Sequence, residues 1–426
     1  MLDSLSLDTL IKRREQLLSR LQKFSDLKLN LNMARGLPAP EQLDLANHIM
    51  ALPGPTQYLT SDGIDCRNYG GTDGLASIKD IFSGILECDK DNIVIGQNSS
   101  LSMMHDAVMR AYVWGVSEGE VAWREQGKIR FLCPSPGYDR HFKISELFGF
   151  ELVPVEMTSS GPNMDQVETF AVDPSVKGIW CVPRYSNPTG VTYSHSTVDR
   201  LAQMETATDF RIFWDNAYAE HHLVDQPKPL ANILKSCIAH GHPDRVLMFA
   251  STSKVTFAGS GISAMGASEP NISEAKSKIQ FQTIGSDKLN QLRHAIFFND
   301  LVGLRAHMKN HAAILKPKFD LVDTIFKREL SGKNIATWSK PEGGYFINLD
   351  VIEGCARKTI DLTAKTGVTL TPAGSSFPHG FDPLDKNIRI APTFPKESEI
   401  QKAMEIVSIC IEIIAIEKQL RTINKN

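Results

Sequence analysis

The chain has 426 residues, with 46 Lys+Arg against 49 Asp+Glu and a net charge of −3. That length can bury a large core without disulfides or metals, and the even charge balance excludes a strongly basic nucleic-acid surface. Hydrophobic residues make up 42% and charged residues 22%, which excludes wholesale disorder, and no apolar run reaches the roughly eighteen residues of a membrane span.

Met1–Leu10 lacks the basic start and apolar stretch of a secretory leader. A cytoplasmic protein with no membrane or nucleic-acid partner is expected. Cysteines lie at 66, 88, 133, 181, 237, 355 and 410. Their number is odd and none has Cys-x-x-Cys spacing, so they read as reduced, mostly buried thiols.

Residues 5–24 read as an amphipathic helix, with Leu10, Leu17, Leu18 and Leu21 on one face and Lys12, Arg13, Arg14 and Glu15 between them. The mixed charges point to packing on its own domain or a partner subunit rather than on a membrane. Lys28 to Met33 reads as extended, and Arg35-Gly36-Leu37-Pro38 as a turn.

Six apolar strands follow, at 92–96, 129–133, 150–155, 178–183, 210–215 and 245–250. Helical segments intervene, among them one after Asn98-Ser99-Ser100 and one over 198–205. Apolar strands alternating with helices imply a mostly parallel sheet covered on both faces. From Leu292 the pattern is helical to about Arg328. Strands at 345–349, 368–371 and 388–390 come next, then a last helix over 398–420. The organisation read from this is α/β. Residues 56–305 form a large domain. The N-terminal helix and arm (1–55) and the C-terminal part (306–426) build a smaller α+β domain from both chain ends.

Ligands of open parallel sheets bind beyond the carboxyl ends of the strands. The polar residues there are Ser99, Ser100, Tyr138, Asn187, Asp215 with Tyr218, and Ser251-Thr252-Ser253-Lys254. An acid ending one strand and a lysine just past the next is an unusual pair. His221-His222 follows nearby, but adjacent histidines in one strand point apart and no third ligand is spaced to help them hold a metal.

These motifs resemble those of fold-type I pyridoxal-phosphate enzymes of the aminotransferase class I/II family. The likeness runs from about Arg35 to Arg389, through Tyr69-Gly70-Gly71-Thr72-Asp73-Gly74-Leu75, Pro134-Ser135-Pro136-Gly137-Tyr138, Asn187-Pro188-Thr189-Gly190, Asp215-Asn216-Ala217-Tyr218, Ser251-Thr252-Ser253-Lys254 and Ile388-Arg389-Ile390. The Arg35 turn and the run from Pro136 to His141 further resemble a bacterial aspartate aminotransferase subgroup related to the aminotransferase-like half of certain transcription factors.

The resemblance implies a seven-stranded, mostly parallel large-domain sheet, the cofactor pyridoxal phosphate and a homodimer with shared active sites. It makes Lys254 the residue that binds the cofactor aldehyde and shuttles the proton. Asp215 faces the pyridine nitrogen, with His141 orienting it. Asn187 and Tyr218 reach the ring oxygen, and Tyr138 stacks on the ring. Ser99, Ser100, Ser251 and Ser253 receive the phosphate, helped by Tyr69 of the neighbouring subunit. Arg389 and Gly36 take the substrate α-carboxylate.

One departure stands out. The family's arginine about eight residues after the lysine is missing, since 255–266 contains no Arg or Lys. The partner-borne cation for a side-chain carboxylate is missing as well, because 279–285 has no arginine. Arg140 is the first candidate to replace it, with Arg184 and Arg35 next. Aspartate with 2-oxoglutarate is the expected substrate pair. An aminotransferase of another amino acid, or a lyase or decarboxylase built on the same lysine, is the alternative. A cofactor-sensing regulator is disfavoured, because the segment before Arg35 is too short for a winged helix domain.

Overall fold

The computed structural model describes residues 5–423. Residues 1–4 and 424–426, the outer ends of the stretches assigned above to the smaller domain, lie outside the described residues. Five strands lie side by side in parallel, in the order Val246–Ser251, Arg211–Asp215, Val176–Cys181, Arg130–Ser135 and Glu151–Thr158. Ser263–Ala267 runs antiparallel between Val246–Ser251 and Ile93–Ile95. Together these make the expected seven-stranded sheet, and the two-residue strand Gly161–Pro162 extends its other edge.

The central strands are apolar on both faces because both faces are covered. Ile179, Cys181, Ile212 and Trp214 enter one core, while the alternate residues Trp180 and Phe213 enter the other. Ser263–Ala267 has no strand signature in the sequence. Its Ser-Ala-Met-Gly-Ala run is fully buried yet contains no β-branched residue.

The helix read over 5–24 spans Leu7–Ser25 and buries Leu10, Leu17 and Leu21. It packs on the last helix, Glu397–Ile423, where Arg13 Nε donates to Glu412 Oε1 at 2.7 Å and Arg14 Nη2 to Glu417 Oε1 at 2.8 Å. The two chain ends thus share one core with the antiparallel strands Ala336–Trp338, Ile347–Val351 and Asn387–Ile390. The long helical stretch is two helices, Lys288–Phe298 and Leu301–Leu330. Asn299 breaks it with φ 64, and Asp300 caps the second helix by accepting from Gly303 N. Gly303 is required there, because a Cβ would lie 1.9 Å from Phe298 O.

Along the parallel strands the chain runs outward from Arg130–Ser135 to Glu151–Thr158, then returns to the other side of Arg130–Ser135 to place Val176–Cys181. The direction of winding reverses between Arg130–Ser135 and Val176–Cys181. A crevice opens at the carboxyl ends of strands at such a switch point. Tyr138 and Asn187 follow those two strands, and Asp215 and Lys254 follow the next two.

Candidate active site

Nine of the residues singled out in the sequence line one cavity at these strand ends: Ser99, Ser100, Tyr138, Asn187, Asp215, Tyr218, Ser251, Ser253 and Lys254. Lys254 sits in a turn just past Val246–Ser251. Thr252 O accepts from Val255 N and Thr256 N, and Thr252 Oγ1 accepts from Ile262 N at 2.8 Å. Ser253 Oγ donates to Asn98 O at 2.6 Å. Among the described residues, no hydrogen-bond or ion-pair partner meets Lys254 Nζ. It lies 5.3 Å from the centroid of the Tyr218 ring. Burial holds its ammonium below the ordinary lysine range, against the opposing pull of Asp215. A lysine of that kind is a better nucleophile near neutral pH.

Asp215 ends its strand buried. Its Oδ2 accepts from His141 Nε2 at 3.0 Å, and its Oδ1 is buried with no partner. His141 is fixed by stacking on Trp180, with centroids 4.6 Å apart, and Trp180 Nε1 donates to Ser145 Oγ. Burial raises the Tyr138 and Tyr218 phenols above their usual range, so both stay protonated donors.

Ser99 caps the helix Ser100–Trp114, its Oγ accepting from Leu101 N at 3.1 Å. The exposed amides of that helix start, with the serine hydroxyls around it, suit an anion. Lys254 is the one cation among the residues lining the cavity. In the stretch where the family's arginine would stand, Ile262 enters the core and Ser263 Oγ donates to Gln97 O.

Arg389 adjoins the cavity. Its Nη1 donates to Asp139 Oδ1 at 3.1 Å and approaches Asn187 Oδ1 at 3.5 Å, and its guanidinium lies over Phe346 at 5.0 Å. Gly36 packs on the same ring, where a Cβ would come within 2.5 Å of Phe346 Cζ. Tyr69 is 85% exposed and is not among the residues lining its own chain's cavity. Lys288 Nζ holds its loop through Tyr69 O and Gly70 O.

Arg140 is exposed and is not among the residues lining the cavity. Tyr138 caps the helix Asp139–Leu147 and faces inward. Residues two apart on a helix point to different sides, and Arg140 is exposed while Tyr138 lines the cavity. Arg184 and Arg35 do not line the cavity either. Arg184 Nη1 donates to Lys228 O, and Arg35 is exposed.

Residues 5–422 match the family model described as aspartate amino-transferase. The chain belongs to the aspartate aminotransferase family. It is similar to a Mycolicibacterium smegmatis protein named as an aminotransferase, at 45% identity over 98% of each chain. It is similar to the aspartate aminotransferase of Corynebacterium glutamicum, at 43% identity over 93% of each. The crystal structure of an aspartate transaminase from Corynebacterium glutamicum superposes with a TM-score of 0.95 at 41% identity, covering 98% of this chain and 99% of that one.

Three residues of this aminotransferase's site escape sequence reasoning. Asp139 and Phe346 bracket Arg389, and Tyr345 packs beneath Lys254 with its ring centroid 6.0 Å from Nζ. The alternating direction of side chains along the extended run 345–349 is the one signal that could have separated Tyr345 from Phe346. Among the described residues no cluster of ligands suits a metal ion, and no helix is long and apolar enough to cross a membrane.

Proposed function

We propose that this aminotransferase uses pyridoxal phosphate to transfer the amino group of aspartate to 2-oxoglutarate, as a cytoplasmic homodimer. The observation that carries the cofactor is the half-satisfied Asp215. With Oδ2 held by His141, the buried Oδ1 is left to accept one N–H, which a protonated pyridine ring supplies. Bound there, pyridoxal phosphate supplies the electron sink for the charge left at the substrate Cα.

The side chains divide the remaining work. Lys254 Nζ would hold the cofactor through its aldehyde and, when free, would take the proton from the substrate Cα. Asp215 keeps the ring nitrogen protonated. Asn187 and Tyr218 donate to the ring oxygen, and Tyr138 covers a ring face. Ser99, Ser100, Ser251 and Ser253 hold the phosphate with the amides that begin Ser100–Trp114. Arg389 and Gly36 receive the α-carboxylate, for which a guanidinium edge is the matching fork. Tyr69, exposed on its own chain, reaches the phosphate of the partner's site.

Aspartate rests on the likeness to the Corynebacterium glutamicum enzyme, 43% identical and named for that substrate. A donor panel with 2-oxoglutarate, read as glutamate formed, tests it. Aspartate is expected to give the highest kcat/KM. Preference for an aromatic or aliphatic donor would overturn the substrate, and release of carbon dioxide or ammonia would overturn transamination.

A further inference from the structure

The turn that presents Lys254 leaves its main-chain carbonyl without a backbone partner among the described residues. Two side chains from distant parts of the chain meet that oxygen instead. Tyr345 Oη donates to Lys254 O at 3.3 Å, and His221 Nε2 lies at the same distance. A carbonyl has two lone pairs, and here each has its own side-chain donor.

The direction of every proton in this arrangement follows from its neighbours. Gln42 is fully buried, and its Oε1 accepts from Ala39 N at 3.0 Å. Its Nε2 therefore donates to Tyr345 Oη at 3.1 Å, which turns the phenol's own proton toward Lys254 O. The other Nε2 proton goes to His311 Nδ1 at 3.0 Å. Lys254 O can only accept, so His221 carries its proton on Nε2, and its buried Nδ1 has no partner. The His221 ring stands edge-on to Tyr218 and to Tyr345, with centroids 5.6 and 5.5 Å away.

We propose that Tyr345 and His221 are positioning residues for Lys254, fixing the 254–255 peptide plane and thereby the direction in which the side chain leaves the turn. The proposal rests on the reading of Lys254 as the cofactor-binding base. Both donors are buried and come from outside the Lys254 turn, so the lysine is aimed by packing it cannot disturb. Proton transfer needs such aim, since displacement by about 1 Å can cost on the order of a hundredfold in rate.

Tyr345→Phe removes one hydroxyl and keeps the ring. The expected result is a kcat at least fivefold lower with the donor KM within about twofold, because the substrate's own contacts are untouched. In cofactor-free protein, the labelling rate of Lys254 by an acylating reagent, read by peptide mass spectrometry, is expected to change at least twofold. Gln42→Met, which strips the phenol of its donor, is expected to move both readouts in the same direction and carries the test if Tyr345→Phe does not fold. A kcat within fivefold of the parent, a loss carried by KM, or an unchanged labelling rate would overturn the proposal. Loss of the fold in both variants would overturn it too, by showing that the network holds the domain rather than the lysine. Failure of the underlying reading is distinguishable, since borohydride would then attach cofactor to another lysine in the parent protein.

Discussion

His141 Nε2 and Asp215 Oδ2 lie 3.0 Å apart, both side chains buried, and this single bond leaves Asp215 with one oxygen committed and one free. The stacked Trp180 holds the imidazole in the plane that makes the bond. A charge-assisted hydrogen bond is worth about 1.5–3 kcal/mol. Asp215→Asn is therefore expected to lower kcat roughly ten- to a hundredfold, and His141→Phe by less, measured with saturating aspartate. Wild-type turnover in Asp215→Asn would remove Asp215 from the chemistry.

Gly36 leaves room for the Phe346 ring that supports Arg389. In Gly36→Ala the new methyl would meet Phe346 Cζ at 2.5 Å, so the ring must move and its packing on the guanidinium changes. The donor KM is expected to rise about tenfold for aspartate and alanine alike, since both present the α-carboxylate to Arg389. A rise for aspartate alone would mean that this face reads the side chain instead.

Arg140 provides the opposite control. Because it is exposed and does not line the cavity, Arg140→Ala is expected to change the ratio of kcat/KM for aspartate over alanine by less than about threefold. A buried carboxylate deprived of its cation loses about 2–5 kcal/mol. A selective loss for aspartate of more than about tenfold would therefore place Arg140 at the substrate after all.

Buried histidines make acid a threat to this fold. Burial pushes His221 down to about 3, and His294 and His311 to about 4, against about 6.5 in an unfolded chain. Between about pH 6.5 and 4 the unfolded chain binds protons that the native one refuses. Stability therefore falls as pH drops through that window, by about 1.4 kcal/mol per pH unit for each fully titrating histidine. Glu274, raised by burial, opposes this as a single group. The urea midpoint is expected to decline steadily from pH 6.5 to 4.5. A flat midpoint over that range would show that these rings are solvated.

The site was legible wherever one residue carries one task at a strand end. Asp215, Lys254, Asn187 and Tyr138 announce themselves because an apolar strand stops and a polar residue begins. The six strands showed for the same reason, as runs too apolar to face water. Ser263–Ala267 stayed hidden because its small residues fill a slot that only its neighbours define. Sequence adjacency to Tyr138 carries no direction for Arg140, because residues two apart on a helix point to different sides. Tyr345, Gln42 and Asp139 were invisible for a further reason. Each acts through a partner tens to hundreds of residues away, and no local period records such a contact.

The central claim is that Lys254, opposite Asp215, is the group that holds the cofactor. Borohydride reduction of the holoenzyme followed by peptide mapping tests it directly. The account predicts a phosphopyridoxyl label on Lys254 alone, and no label on Lys254→Ala treated in the same way. A label on any other lysine, or an undiminished label in Lys254→Ala, would contradict it.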